Sequence, residues 1–480
     1  MRTFGKTLVL PALLALGACT VGPDYSGPPA LGNAAPAGGF VRADAQTGAG
    51  EPALAQWWNG LGDPTLDELE RRALAGSPDI AVARARLDQA RAALRIEKTK
   101  SAPSVSAMGV AADIRIPDLG SGDQSGSQGG ESDSGASNTT FYNLGVNASW
   151  EIDLFGGQRR SNEAYRAEAE GAEASVADAQ VSLTAAVAQA YLSYRDREGR
   201  IALAQGAVER RRALLDLQTQ RYSRGTGTQS DVQQAGADLE QANQMLAPLK
   251  AEADGFANAL AILTGEAPGA ADALLAAPAD VPLPPASVAV GDPAALLRNR
   301  PDIRSAERRL AAETARIGVA EAARLPRLSF LGILGIGGTS PADLTHLDDF
   351  TAIGAPMLQW NILDFGKGKA SVDQAEAKRD EAEANYRGTV LGALRDVEDA
   401  LANFRAAREN AASQARAEQN AARLEELARQ RFEHGSTAKT TLLEAELAHG
   451  LAAGSLVKAR ADLSGAFVAL EKALGLGWTR

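Results

Sequence analysis

The stretch WEIDLFG at Trp150–Gly156 recurs 210 residues later as WNILDFG at Trp360–Gly366. The same offset joins RYSRG at Arg221–Gly225 to RFEHG at Arg431–Gly435 without a gap. A repeat of this length predicts two copies of one structural unit, and the function must be built from both copies.

Upstream of these stretches the offset is larger. SPDI at Ser77–Ile80 recurs as RPDI at Arg300–Ile303, 223 residues later, so the first copy carries 13 extra residues, which lie between Pro103 and Trp150. We expect repeats at residues 63–266 and 294–480, a Pro-rich linker at 267–293, and an extended, Gly- and Pro-rich arm at 19–62.

The composition indicates a largely helical protein that does not bind nucleic acid. The chain of 480 residues has a net charge of −11, so no basic patch dominates it. Alanine, glutamine, glutamate and arginine, which favour helices, are abundant. Hydrophobic residues make up 45% of the chain, but after residue 20 no apolar run is long enough for a spanning helix.

The N-terminus is typical of a bacterial lipoprotein. Arg2 and Lys6 precede a short apolar run, which ends in Leu16-Gly17-Ala18-Cys19 and resembles a lipobox. We expect residues 1–18 to be a signal peptide and Cys19 to carry covalent lipid, with Thr20 as an outer-membrane sorting residue. The alternatives are a buried cysteine or an ordinary signal peptide. As the sole cysteine, Cys19 excludes a disulfide within the chain.

Apolar and polar residues alternate before Trp150 with the period of a β-strand. One face carries Tyr142, Leu144, Val146 and Trp150, and the other carries asparagine, glycine and serine. Such strands, about ten residues long, can cross a bilayer when tilted; the alternative is a soluble hairpin with one buried face. We expect strands at about 104–116, 141–152, 327–336 and 351–362, with a loop at Pro117–Thr140 and membrane-facing Trp360 on the last strand.

A heptad pattern follows each strand pair. Val187, Tyr194, Ile201, Val208, Leu215 and Tyr222 recur every seven residues, as in a coiled coil. A continuous helix over Gln158–Tyr222 would be about 98 Å long. The alternative is a bent helix in several pieces, because Gly171, Gly199 and Gly206 lie within it. Each long helix then turns, at Gly225 and Gly435, and returns.

Four strands are too few to close a membrane barrel, for which about eight is the practical minimum. Open strand edges are not tolerated in lipid, because their backbone groups find no water there. Several chains must therefore pool their strands. We predict a mainly α protein with membrane β: an oligomeric tube whose polar strand faces line a lumen and whose apolar faces meet lipid.

The chain resembles the TolC-like outer-membrane efflux channels, in particular the lipoprotein (NodT-like) branch that serves resistance-nodulation-division pumps. The resemblance covers essentially the whole mature chain. It is carried by CTVGPDY at Cys19–Tyr25, Trp57-Trp58, Asp63-Pro64-Thr65-Leu66, the RPDI motif, Trp360 with Phe365-Gly366, and the two Arg-aromatic-x-x-Gly turns.

This family implies a homotrimeric α/β-barrel in the bacterial outer membrane, lipid-anchored and projecting into the periplasm. Four transmembrane strands per protomer form its barrel, and long antiparallel coiled-coil helices form its tunnel. It implies no catalysis and no cofactor beyond the lipid on Cys19. A periplasmic adaptor and an inner-membrane resistance-nodulation-division pump are the implied partners, and the channel exports drugs and other toxic small molecules passively.

The resemblance also implies roles for residues at the two helical turns. Gly225 and Gly435 match turn glycines where adaptor hairpins dock; the alternative is a glycine that only ends a helix with positive φ. Glu444 matches a carboxylate at the closed tunnel entrance and Asp231 one that latches it; the alternative is a solvated charge near a helix start. Phe432 and Thr437 depart from the Tyr and Arg that some members carry, which leaves the latch partners open.

Two other functions share some of these features. A type I protein-secretion channel has the same fold. A periplasmic structural or adaptor lipoprotein has a long helical hairpin, but it needs neither two hairpins nor the strand alternation. His346, His434 and His449 are too scattered to form a metal site, so we expect none.

Overall fold

The computed structural model describes residues 20–29, 39–44, 46–48, 50, 53–116, 137–345, 348 and 350–479. The predicted signal peptide, the proposed lipid site Cys19, His346 and most of the predicted Pro117–Thr140 loop lie outside these residues. By its contacts the chain divides into two compact units. The first comprises residues up to 27, 89–169 and 309–382, and the second comprises 28–88, 170–308 and 383–480.

Helices account for most of the described chain. In order they are α1 (Pro64–Gly76), α2 (Pro78–Thr99), α3 (Gly157–Ser223), α4 (Gln229–Leu263), α5 (Asp272–Leu275), α6 (Pro293–Asn299), α7 (Pro301–Ala322), α8 (Lys367–Glu433) and α9 (Lys439–Ala473), with 3-10 turns at Trp57–Leu61 and Pro341–Thr345. Among the described residues, no helix is both long enough and apolar enough to cross a membrane.

Helices of equal length recur in the same order. α2 and α7 have 22 residues each, α3 and α8 have 67, and α4 and α9 have 35. α3 is one uninterrupted helix, as the heptads predict, rather than several pieces. Two of its glycines lie where another helix approaches closely: a Cβ at Gly199 would lie 3.1 Å from Val457 Cγ1, and one at Gly171 would lie 3.4 Å from Arg308 Cβ.

The strands of the first unit form one antiparallel sheet. Its order is β2 (Ser104–Ile116), β3 (Ser137–Ile152), β5 (Arg327–Gly338) and β6 (Phe350–Gln359). β2 covers the predicted residues, whereas β3 begins four residues before its prediction. β2 and β6 are the outer strands of this sheet, each paired on one side.

Trp360 was predicted to lie on the last strand, but it lies just beyond the end of β6. The register pairs Gln359 with Arg327, the first residue of β5, so no β5 residue remains opposite Trp360. Its indole N–H instead donates to the carbonyl oxygen of Arg324 at 3.1 Å. Trp150 makes the matching bond to Ser101 O, also at 3.1 Å, and Ser101 precedes Arg324 by the repeat offset of 223.

The first unit also binds the segment that follows Cys19. The buried guanidinium of Arg160 on α3 donates to the carbonyl oxygens of Val21 and Gly22 at 3.0 and 2.9 Å, and to the carboxylate of Asp24 at 2.7 Å. Beside it, alanines of α3 pack against alanines of α7: Ala164 and Ala167 with Ala311, Ala312 and Ala315. Small side chains let the two helices approach closely.

The second unit has an aromatic core to which the arm and the linker both contribute. Trp57 stacks edge-on against Trp58 and Phe467, each with ring centroids 5.8 Å apart. The short strands β1 (Thr47–Gly48) and β4 (Val288–Ala289) pair in parallel and join the arm to the linker. Phe40 from the arm, and Val281 and Val288 from the linker, are buried in the same cluster as the helices.

A buried carboxyl in this core predicts a pH-dependent stability. Glu471 is 4% exposed, and burial raises its pKa to about 8. The folded chain therefore holds this group protonated while the unfolded chain ionises it near its ordinary value. The contribution of protonated Glu471 to the free energy of unfolding is full below the pKa of the unfolded chain and is lost as the pH rises through about 8. We expect Glu471→Gln, a neutral mimic of the protonated group, to raise the melting temperature in detergent more at pH 8 than at pH 5.

The control for this prediction is Glu240→Gln, which removes an exposed carboxylate of α4 and leaves the core intact. We expect its melting temperature to follow that of the wild type across the same pH range. An equal shift for Glu471→Gln at both pH values would contradict an ionisation effect and leave packing as the cause.

Candidate functional site

Both helical hairpins end in the same local structure. At the first turn, Gly225 donates its N–H to Tyr222 O at 3.0 Å and Thr226 donates to Arg221 O at 2.8 Å. At the second, Gly435 donates to Phe432 O and Ser436 donates to Arg431 O, both at 2.9 Å. These pairs of bonds satisfy the last helical carbonyls, as in a Schellman motif.

Gly225 and Gly435 have φ values of 71° and 69°, in the left-handed region that favours glycine. The helix-ending interpretation of both residues therefore has a geometric basis. A Cβ at either position would meet no atom within 4 Å, so the turn surface beside each glycine is open. The backbone at either turn is thus accessible from outside.

Asp231 is engaged in capping its own helix. Its carboxylate accepts from the Thr228 N–H at 2.9 Å and from the Thr228 hydroxyl at 2.8 Å, and the Asp231 N–H donates to that hydroxyl oxygen at 3.2 Å. The bond from the Thr228 backbone N–H is the main cause that lowers the pKa of Asp231. This capping box begins α4 and matches the helix-start interpretation of Asp231.

Glu444 differs from Asp231 in having no such local role. It lies in the second turn of α9 and is exposed, and its side chain makes no hydrogen bond or ion pair with any described residue. The residue that precedes it by the repeat offset is the neutral Gln234, whose amide donates to Asp238 at 2.8 Å. At this position of the repeat, only the second copy therefore carries a carboxylate.

Side-chain contacts connect the four helices near the turns. Arg211 on α3 pairs with Asp238 on α4 at 2.8 Å. On another side of α3, Arg210 pairs with Glu446 on α9 at 2.9 Å, and Leu214 packs against Leu443 and Leu447. These contacts link α4 to α3 and α3 to α9.

His449 fastens α9 to α8. Its Nε2 lies 3.0 Å from Glu418 and its Nδ1 lies 2.6 Å from Glu425, so both ring nitrogens face carboxylates. The hydrogen bond to Glu418 is the main cause that raises the pKa of His449, and Glu425 adds to it. The helices of this region are thus connected in the order α4, α3, α9, α8.

The sheet presents one continuous apolar face. Leu144, Val146 and Trp150, predicted to face the membrane, are 59%, 41% and 38% exposed, and Tyr142 is half-buried on the same side of β3. The residues directly opposite them on β5 are also apolar: Val146 pairs with Leu334 and Trp150 with Phe330. Paired residues of antiparallel strands lie on the same face.

The opposite face is polar on β3 but not on β5. Asn147 and Ser149 are paired with Ile333 and Leu331. The alternation of the first copy therefore does not extend to β5, which is apolar on both faces. Its own sequence, LSFLGILGIGG, has no period of two, and only the pairing with β3 reveals which side each residue takes.

Comparisons with known proteins agree with this architecture. The family model described as "Outer membrane efflux protein" matches residues 69–266 and 293–476. Outer membrane protein OprJ of Pseudomonas aeruginosa is 32% identical over 99% of this chain and 96% of its own length. Nodulation protein T of Rhizobium leguminosarum bv. trifolii is 28% identical over 97% and 96%. A solved structure of the outer-membrane channel OprN superposes with a TM-score of 0.83 at 32% identity, covering 96% of this chain and all of the other.

Proposed function

The chain belongs to the outer membrane efflux protein family, and we propose that it is the outer-membrane channel of a tripartite efflux system. The family predicted from the sequence is therefore confirmed, and the bacterial outer membrane is the location of its members. In this role the protein is a passive conduit that exports small toxic molecules, and it performs no catalysis.

One observation carries the proposal most directly: a four-stranded antiparallel sheet with an apolar face and two outer strands, in which β3 and β6 are each followed along the chain by a 67-residue helix. An open edge in lipid leaves backbone groups without partners, so β2 and β6 need strands from other copies. Three protomers would supply twelve strands, enough to close a barrel. The recurrence of helix lengths supports two structural repeats per protomer around the same axis.

The helical turns are the proposed docking end. Gly225 and Gly435 would receive the hairpins of a periplasmic adaptor, which in turn would join an inner-membrane resistance-nodulation-division pump. Covalent lipid on Cys19 would anchor each protomer in the membrane. In this proposal Glu444 faces the axis at the entrance, and Asp231 supports the closed tip by holding the start of α4.

The proposed role of Glu444 predicts a change in conductance. Three exposed carboxylates close to one axis repel one another and attract cations. Alanine removes both the charge and the longer side chain from each copy, so we expect Glu444→Ala to widen the entrance, to raise single-channel conductance in planar bilayers about twofold or more and to reduce the preference for cations. Gln234→Ala, at the equivalent position of the first copy, is the matched control and should leave the cation preference unchanged.

If Glu444→Ala kept the conductance and cation preference of the wild type, the proposed position of Glu444 at the entrance would be contradicted. The oligomer itself is tested by the native mass of detergent-extracted protein, which should be three times that of the protomer. The inner-membrane protein that co-purifies separates a drug-efflux system from type I protein secretion.

A further inference from the structure

The seam of the second hairpin, formed by α8 and α9, changes from apolar to charged as α8 approaches its turn. Earlier on α8 the seam residues recur every seven positions and are buried: Val397, Phe404 and Ala411. The next two positions of the same heptad carry Glu418 and Glu425. Coiled coils place apolar side chains at such positions, and a partly buried charge is costly without a partner. The two seam glutamates therefore need a partner on the facing helix.

The first hairpin, formed by α3 and α4, keeps an apolar seam at the same level. Val208 and Leu215 precede the two seam glutamates by the repeat offset of 210, and Leu239 precedes His449 by the same offset. Leu239 is buried, and Val208 and Leu215 are half-buried. The second copy thus carries three ionisable side chains where the first copy carries three apolar ones, so pH can act on one hairpin and not on the other.

The ring of His449 lies between the two seam glutamates, which are seven residues apart on α8. Its Nε2 is 3.0 Å from Glu418 Oε1 and its Nδ1 is 2.6 Å from Glu425 Oε2. A neutral imidazole has one donor nitrogen and one acceptor nitrogen, whereas an imidazolium donates from both. A neutral ring in this place would set a nitrogen lone pair against a carboxylate oxygen. The contact is therefore complete only while His449 is protonated.

The charged groups next to this contact have partners of their own. On α8, Arg429 pairs with Glu425 from one turn further along the helix. On α3, which also packs against α9, Arg210 pairs at 2.9 Å with Glu446, one turn before His449. Among the residues that the structure describes, the ring itself pairs with the two seam glutamates alone. The proton on His449 therefore decides how strongly α9 is held to α8 at this level.

We propose that His449, Glu418 and Glu425 form a proton-dependent clasp, which holds the second hairpin together while His449 is an imidazolium and loosens it when the proton leaves. The two carboxylates raise the pKa of His449 above its ordinary value. A raised pKa in the folded chain means that the clasp contributes fully below the unfolded value of about 6.5. Its contribution is lost as the pH rises through the raised pKa.

The clasp lies close to the proposed entrance. Glu444 precedes His449 by five residues, which is about 7.5 Å along α9. When the clasp opens, the first turns of α9 lose their attachment to α8, and Glu444 moves with them. We therefore expect the entrance to conduct more as the pH rises, a consequence that rests on the proposed channel function, whereas the clasp itself does not.

Hydrogen exchange of the full-length protein in detergent tests the clasp. Amide exchange rates are measured at pH 6 and pH 9, and each is divided by the chemical exchange rate at that pH. We expect the protection of Lys439–His449 to fall about tenfold between the two pH values, the loss expected for one hydrogen bond to a charged group. The equivalent segment of the first hairpin, Gln229–Leu239, should keep its protection.

Two variants identify the groups responsible. The triple variant Glu418→Val, Glu425→Leu and His449→Leu gives the second hairpin the residues of the first, and its protection should not depend on pH. His449→Gln, which is neutral at both pH values, should show the low protection at pH 6 as well as at pH 9. Equal protection of the wild type at both pH values, or a fall of the same size in either variant, would overturn the clasp.

Conductance in planar bilayers tests the link to the entrance. We expect the wild-type conductance to rise between pH 6 and pH 9 by more than that of the triple variant. Glu444 is present in both proteins, so its own charge cannot produce the difference. Loss of protection without a difference in conductance would overturn the link and leave both the clasp and the channel in place. Absence of conductance at either pH would overturn the proposed channel, whereas the exchange result would still stand.

Discussion

Gly337→Ala is expected to lower the amount of folded protein in the outer membrane. Gly337 lies on β5 opposite Asn143 of β3. A Cβ there would overlap the carbonyl oxygen of Tyr142 and lie 2.7 Å from the Cα of Asn143. Because both neighbours are backbone atoms, the clash is relieved only if the strands separate. Overpacking of this kind costs about 1–3 kcal/mol, and each 1.4 kcal/mol lowers the ratio of folded to unfolded protein about tenfold.

The measurement is the amount of unheated, SDS-resistant oligomer in isolated outer membranes. Gly332→Ala is the matched control on the same strand, because a Cβ there would make only ordinary van der Waals contacts, the nearest being Phe330 at 3.5 Å and Ala148 Cβ at 3.6 Å. We expect the control to accumulate like the wild type. Equal amounts of oligomer from the two variants would contradict the prediction, because they would show that β3 and β5 can move apart without loss of folded protein.

Regular features of this fold could be predicted from the sequence because they repeat. The offset between WEIDLFG and WNILDFG located both long helices, and the heptads with few prolines indicated that α3 is continuous. A helix interior depends mainly on local periodicity and propensity, so its existence is visible in one sequence. The family resemblance added what periodicity does not contain, namely a trimer and partners.

Features set by pairing could not be read in the same way. The end of β6 depends on where β5 begins, since Gln359 meets the first residue of that strand, and Trp360 was misplaced for this reason. The apolar residues of β5 acquire their faces only from their β3 partners. Likewise, the arm and linker have low-complexity sequences, yet Phe40 and Val288 are buried in the core because other elements cover them.

Asp231 and Glu444, the two carboxylates near the helical turns, show how far the role of a site residue can be predicted from sequence. From the sequence, Asp231 and Glu444 had the same two interpretations. The structure gives Asp231 a capping partner, Thr228, three residues before it. The Thr-x-x-Asp spacing was present in the sequence and signals a capping box. For Glu444 no local signal exists, because its proposed role depends on other copies of the chain.

Arg160→Met is expected to release the segment between Thr20 and Asp24 from the first unit. The Arg160 side chain is 4% exposed and is the donor to two backbone carbonyls, so its loss leaves those acceptors without partners. A buried polar group left unsatisfied costs about 1–3 kcal/mol. We expect amide hydrogen exchange in the peptide containing Val21, whose N–H donates to Phe155 O, to become about tenfold to hundredfold faster.

The carboxylate of Asp24 supplies the control that separates this effect from a simple ion pair. Its side chain is 90% exposed, so its bond to Arg160 competes with water and contributes at most about 1 kcal/mol. Asp24→Asn should therefore change the exchange of Val21 by less than about tenfold. If Asp24→Asn released the segment as fully as Arg160→Met, the Arg160–Asp24 ion pair, and not the bonds to the carbonyls, would be what holds the segment. The stronger effect of Arg160→Met should persist in high salt, because salt screens the attraction between exposed charges but does not weaken buried hydrogen bonds to carbonyls.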